Sequence, residues 1–418
     1  MKYVPMVEMP LVAKVEQTFP RPVCNYVEII QNRFSRYSSE GLLKAGQKIA
    51  IAVGSRGIAS LPIVVKTIVD DLKKINCEPY IVPAMGSHGG ATADGQLHVL
   101  NGYGISEESM GVPIISSMDV DVIGEYQGEP VYFDRFARSC DGIIAVNRVK
   151  PHTDFHGKIE SGICKILTIG MGKHKGAVSI HGFGAYRFPE VLPDLTALLV
   201  SKLPMIIGVS IVENAYHDIA HLEVVGGMEI CAMEEGLLKM AYDLMPKLPF
   251  EELDVLVVNE IGKDVSGTGM DPNITGRNYF PWVIGGPKIE KIVILDLTTG
   301  SDGNPLGMGV ADVITQRILD KSDIGKMYTN CMASKGLWGC KIPFTAPDDQ
   351  EAISVALHCI VGKSLSEVRA VRIRNTLELT RFEASLPLIR ENQSDRLKVI
   401  SEPYRWTFDP NGYLTKSG

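Results

Sequence analysis

The chain has 418 residues, 45% hydrophobic and 22% charged, with a net charge of −7. That length exceeds one simple core and suits two domains, and an acidic balance without a basic block argues against nucleic acid as a partner. No apolar run is long enough to span a membrane, the N-terminus lacks a signal-type apolar core, and eight cysteines without a CxxC pair read as reduced thiols, so a cytoplasmic protein with no membrane partner is expected.

After an N-terminal strand-like piece, KIAIAVGSRG (48–57) reads as a buried strand ending in a glycine turn. SLPIVVKTIVDDLKKI (60–75) has helical spacing, and PYIVPAMGSHGG (79–90) is a second strand with a second glycine turn. Thr92 is placed to cap a helix over TADGQLHVLNGYG. A β-rich excursion (113–134) precedes a third strand, GIIAVN (142–147). Residues 192–203 read as a helix, 205–214 as a strand and 227–245 as a strongly amphipathic helix; two prolines near 245–253 mark a boundary. A second α/β unit opens at 254–273 and continues through 291–305, a helix over GVADVITQRILDKS, the strand AVRIRN (370–375) and a terminal hairpin in YRWTFDPNGYL. Strand–helix alternation predicts an α/β fold of two domains, 1–250 and 251–418, with mainly parallel sheets and the active site in the cleft between them.

Three successive strands end in loops with unusual residues: Gly54-Ser55-Arg56-Gly57, Gly86-Ser87-His88-Gly89-Gly90 and Lys150-Pro151-His152. Parallel strands would put all three loops on one sheet edge, where α/β proteins bind ligands. Arg56 is either an anion grip at a helix N-terminus or a surface turn residue. His88, between glycines, has little room to be a packed core histidine, and Pro151 stiffens the approach to His152. The stretch 147–184 holds four of the nine histidines, His152, His156, His174 and His181. Lys165, in the apolar run GICKILTIG, either snorkels to the surface or sits in a drier site as a nucleophile. Lys173 in GMGKHKG suits a phosphate. His217 and His221 have helix-ligand spacing but follow a strand, so the pair reads as incidental; His98 and His358 read as structural. The 262–277 loop, with Asp264, Asp271, Asn273 and Arg277, suits either substrate hydroxyls or a structural role.

These landmarks resemble the lactate racemase family, the nickel-pincer nucleotide enzymes. The resemblance rests on Ser55-Arg56, Gly86-Ser87-His88-Gly89-Gly90, Pro151-His152, the Gly162 to Lys165 motif and His181, sixteen residues further on. It implies His88 and His152 as the acid/base pair, Lys165 as the covalent carrier of the cofactor, and His181 as a nickel ligand. Ser55, Arg56 and Lys173 are further expected to bind the cofactor, and Arg56 and Lys335 the substrate carboxylate. The implied reaction is racemisation or 2-epimerisation of a 2-hydroxy acid by hydride transfer through a 2-oxo acid, with cofactor-biosynthesis enzymes as partners. Val53 and Met332 stand where lactate-specific members have aspartate and glutamine, which detaches the implied substrate from lactate itself. Two rival readings are a zinc- or iron-dependent hydrolase built on His88, His152 and His156, and a non-catalytic hydroxy-acid-binding protein.

Overall fold

The computed structural model describes residues 4, 7–55, 57–392 and 394–415. It is an α/β fold of several sheets, divided into two compact units: residues 20–245, and residues 1–19 together with 246–418.

In the first unit the strands are β2 (Lys48–Val53), β3 (Glu78–Pro83), β6 (Gly142–Arg148), β7 (Met205–Glu213) and β8 (Ile219–Gly226), with β4 (Val120–Tyr126) and β5 (Glu129–Asp134) as a separate antiparallel pair. The five-stranded sheet runs β3-β2-β6-β7-β8, parallel except where β8 turns back along β7. Period-two alternation sends β2 side chains to two different layers. Ile49, Ile51 and Val53 join a core with α1 (Tyr26–Ser39) and α2 (Leu61–Lys74), whereas Ala50 and Ala52 face Ile163, Leu167 and the helix Phe188–Lys202. Ala84 and Ala145 lie in that second layer too. Small side chains there let a helix approach the sheet closely. A Cβ on Gly170 would come 2.6 Å from the Ala84 carbonyl oxygen, so only glycine fits.

The predicted cap of α3 (Ala93–Gly102) is present: Thr92 Oγ1 accepts from Gly95 N at 3.1 Å. In the second unit, β1 (Leu11–Gln17), β9 (Glu252–Val258), β10 (Lys288–Ile294), β11 (Val313–Thr315), β12 (Phe344–Ala346), β13 (Ala370–Ile373), β14 (Arg381–Ser385), β15 (Leu397–Val399) and β16 (Tyr404–Arg405) build one sheet. Its order is β12-β11-β10-β9-β13-β14-β1-β15, with β16 also on β1. The pairs from β12 to β13 are parallel, and those made by β14 and β1 are antiparallel. The N-terminal strand thus belongs with the C-terminal residues, because β1 lies along β14 from Val12 to Glu16.

Two local expectations change. The helix predicted over GVADVITQRILDKS splits into β11 and a short helix, Gln316–Asp320: the β-branched run Val313–Thr315 fills a ladder position between β10 and β12. The terminal hairpin shrinks to one bridge, Phe408 to Leu414, because Tyr404 and Arg405 pair with β1 instead.

Candidate active site

The carboxyl ends of β3, β2 and β6 lie side by side, so the loops after them share one edge. Ser55 follows β2 and His88 follows β3, and Ser55 Oγ hydrogen-bonds His88 Nδ1. Each loop is tied down from behind. Tyr103 donates its hydroxyl to the Ser55 carbonyl. Gln96, wholly buried, donates to the carbonyls of Gly86 (2.9 Å) and His88 (3.3 Å). Arg56, the expected anion grip, lies outside the described residues.

The loop after β6 winds round a buried carboxylate, Glu160. Its Oε2 accepts the His152 backbone N–H at 2.7 Å and its Oε1 that of Gly157 at 3.0 Å. Tyr242 donates its hydroxyl to the same carboxylate, and His156 Nδ1 lies 3.3 Å from it. Ser161 closes the loop by accepting from Lys150 N and donating to Lys150 O, both at 2.7 Å. A buried carboxylate holding several donors is worth more than a neutral hydrogen bond, so the loop geometry is well fixed.

Lys165 ends α4 (Gly162–Lys165), which continues as a π-helical turn, Ile166–Gly170, and then α5 (Lys173–Gly182). A π-turn widens the helix locally, a distortion found often at functional sites. Asn147, at the end of β6, donates to the Gly162 carbonyl at 2.7 Å. Gly86 N donates to Gly170 O at 3.0 Å, which joins the His88 loop to the Lys165 segment. At the start of α4, Glu234 receives the backbone N–H groups of Ile163 and Cys164, together with the Ser210 hydroxyl at 2.9 Å. Burial pushes the Glu234 carboxyl above its ordinary value, against the downward pull of those donors. Glu234→Gln puts an amide donor against one of them and should cost about 1–3 kcal/mol; urea unfolding checks this, and unchanged stability would show that the carboxylate is not the acceptor drawn here.

The decisive contact joins Lys165 Nζ to His152 Nε2 at 2.5 Å. His152 Nδ1 accepts the Asp154 backbone N–H at 3.0 Å. Lys165 Nζ thus lies within hydrogen-bond reach of an imidazole that can take up or release a proton. Phe155 lies against both groups, its ring centroid 4.4 Å from that of His152 and 5.9 Å from Lys165 Nζ. From Phe155 an aromatic ladder runs through Phe188 (5.3 Å) to His181 (5.4 Å). The structure therefore brings Lys165 and His152 into contact and sets His88 on the adjoining loop. His181 stands at the exposed end of α5, two phenylalanine rings from His152.

A protein from Thermotoga maritima, solved by the Northeast Structural Genomics Consortium, matches with a TM-score of 0.53 at 13% identity, over 87% of this chain and 99% of that one. The lactate racemase apoprotein from Thermoanaerobacterium thermosaccharolyticum gives the same score and identity over 88% and 99%. The chain has a lactate racemase-like fold. No protein-family model and no curated protein matches it in sequence.

On this lactate racemase-like fold, Lys173 is placed differently from expectation. It is fully buried, 3.1 Å from Asp134 Oδ2, and also donates to the Pro83 carbonyl. It is an internal tie between β3 and β5 rather than a group turned toward a cofactor. Lys335 belongs to the other unit, where it ends the helix Ile324–Ser334 in a left-handed conformation, φ 61°. The polar residues of 262–277 are spent internally: Arg277 bonds Asp312 and the carbonyls of Ile289 and Glu290, and Asp271 caps a short helix. No helix among the described residues is long and apolar enough to cross a membrane. Among them no group of three or more His, Cys, Asp and Glu is gathered as a metal site. His88, His152 and His156 instead have Ser55, Lys165 and the Tyr242–Glu160 pair as partners.

Sequence reasoning did not assign Glu234, Gln96, Tyr103, Asn147 or Tyr242 to the site. Glu234 carried a signal, since it shares a helical face with Ile230, Leu237, Leu238 and Ala241. An acid on an apolar face needs a buried partner. The others gave no comparable sign.

Proposed function

We propose that the protein is a racemase or 2-epimerase of 2-hydroxy acids that works with a nickel-pincer nucleotide tethered to Lys165. The observation that supports this most is the Lys165–His152 contact, at the carboxyl edge of a parallel sheet and beside the loop that carries His88. The lysine suits the group it would hold, because an imidazole in contact with the amine can take the proton that acylation displaces. His181, exposed at the end of α5, would supply an imidazole to the nickel. When bound, the cofactor supplies the hydride acceptor and donor that side chains lack.

The chain's own part is positioning and proton transfer. With Lys165 acylated, His152 Nε2 is left to accept the proton of the substrate hydroxyl. His152 then takes that proton for one enantiomer and His88 for the other, each returning it as an acid. Glu160 holds the His152 backbone, and Gln96 holds the His88 loop, so neither base has to be ordered at the moment of reaction.

The test is a panel of enantiopure 2-hydroxy acids with protein coexpressed with the cofactor-making enzymes. Loss of optical rotation is expected for at least one acid, and a panel left unchanged by cofactor-loaded protein rejects the reading. His88→Ala should slow racemisation by about 10²–10⁴-fold while intact mass shows Lys165 still modified.

A further inference from the structure

Cys164 and Cys231 approach each other beside the site, with their sulfur atoms 3.5 Å apart. Cys164 is fully buried in α4, one residue before Lys165; Cys231 is half-buried in the helix Ile230–Leu244. That helix also carries Glu234, three residues further on, whose carboxylate receives the N–H groups of Ile163 and Cys164. Two helices are therefore joined just before the candidate lysine by a carboxylate cap and a thiol–thiol contact.

We infer that Cys164 and Cys231 form a reversible dithiol–disulfide pair whose oxidation by a peroxide alters the setting of Lys165. The inference stands on the geometry and does not depend on the racemase reading. Cys231 is the attacking sulfur: it is the more accessible of the two, and the hydrogen bond from Cys164 pulls it below the usual thiol value. The same hydrogen bond, with burial, pushes Cys164 up and keeps it a thiol.

The Cys231 thiolate attacks a peroxide oxygen; the O–O bond breaks, a sulfenic acid forms and hydroxide leaves, taking up a proton to become water. The Cys164 sulfur then attacks the sulfenic sulfur, giving up its proton as the S–O bond breaks and a second water departs. Two thiols lose two electrons, and one peroxide becomes two waters. Closing the gap to bonding distance draws the Cys231 helix onto α4 and disturbs the Glu234 cap.

The experiment treats the protein with hydrogen peroxide and maps disulfides by non-reducing peptide mass spectrometry. In parallel it follows labelling of Lys165 by an acylating reagent. A Cys164–Cys231 peptide lighter by two hydrogens is expected, reversed by dithiothreitol, with a several-fold change in the Lys165 labelling rate that Cys231→Ser protein does not show. Absence of that cross-link, a cross-link confined to other cysteines, or one that leaves Lys165 labelling unchanged would overturn the inference. Cys164→Ala, tested in the same way, guards against a fold defect peculiar to Cys231→Ser.

Discussion

Lys165→Ala protein, coexpressed with the cofactor-making enzymes, is expected to have the bare polypeptide mass and to racemise none of the acids that wild type racemises. Lys165 ends α4 against Nε2 of His152 and over the ring of Phe155, which sets it in the site. Lys165→Arg separates chemistry from folding: it keeps a long basic side chain, yet an arginine stays protonated and cannot be acylated. Both variants should unfold within about 1 kcal/mol of wild type, because a partly exposed side chain gives up its hydrogen bond to His152. Intact-mass measurement reads the adduct and polarimetry the turnover. An alanine variant that still carries the covalent group would end the proposal, whatever fold the chain shares.

Lys173→Ala should destabilise the first unit by about 3–5 kcal/mol, the cost of leaving one member of a buried ion pair unpaired. The lysine and Asp134 are both essentially inaccessible, their charged atoms 3.1 Å apart. Burial pushes the Lys173 ammonium below its ordinary value and the Asp134 charge holds it up, so removing either partner leaves the other buried without its counter-charge. The double variant Lys173→Met with Asp134→Leu should recover most of the loss, because apolar replacement of a buried pair is often neutral. Recovery stops short by about 1 kcal/mol, since Asp134 Oδ1 also caps the helix Arg135–Ser139 by accepting from Ala137 N at 2.7 Å. Denaturant melts of the two variants measure this, and a Lys173→Ala protein as stable as wild type would contradict it.

Much of the first unit could be read from the chain. The apolar runs of β2, β3, β6 and β7 were rich in β-branched residues, those of β2 and β3 ended in glycine turns, and such apolar runs favour burial. Their parallel alternation with helices then forced Ser55, His88 and His152 onto one edge. The same reasoning failed where a neighbour decided the outcome. Residues 313–315 had helical spacing but became β11 because β10 and β12 left a ladder position between them. Lys173 and Lys165 stand eight residues apart in similar glycine-rich surroundings, and nothing local separates them. One became an internal ion pair because Asp134 of β5 lies opposite; the other met His152 because Glu160 and Ser161 fold the β6 loop back over α4.

The sequence by itself determined which strands are buried, which loops follow them and which reactive side chains those loops carry, since hydrophobic periodicity and turn chemistry act over a few residues. Only the tertiary structure decided which of those side chains meet. Partners such as Glu234 for α4 or Tyr242 for His156 come from 70 or more positions away in the chain, and a hydrogen bond or ion pair depends on distance in space, which local pattern does not encode.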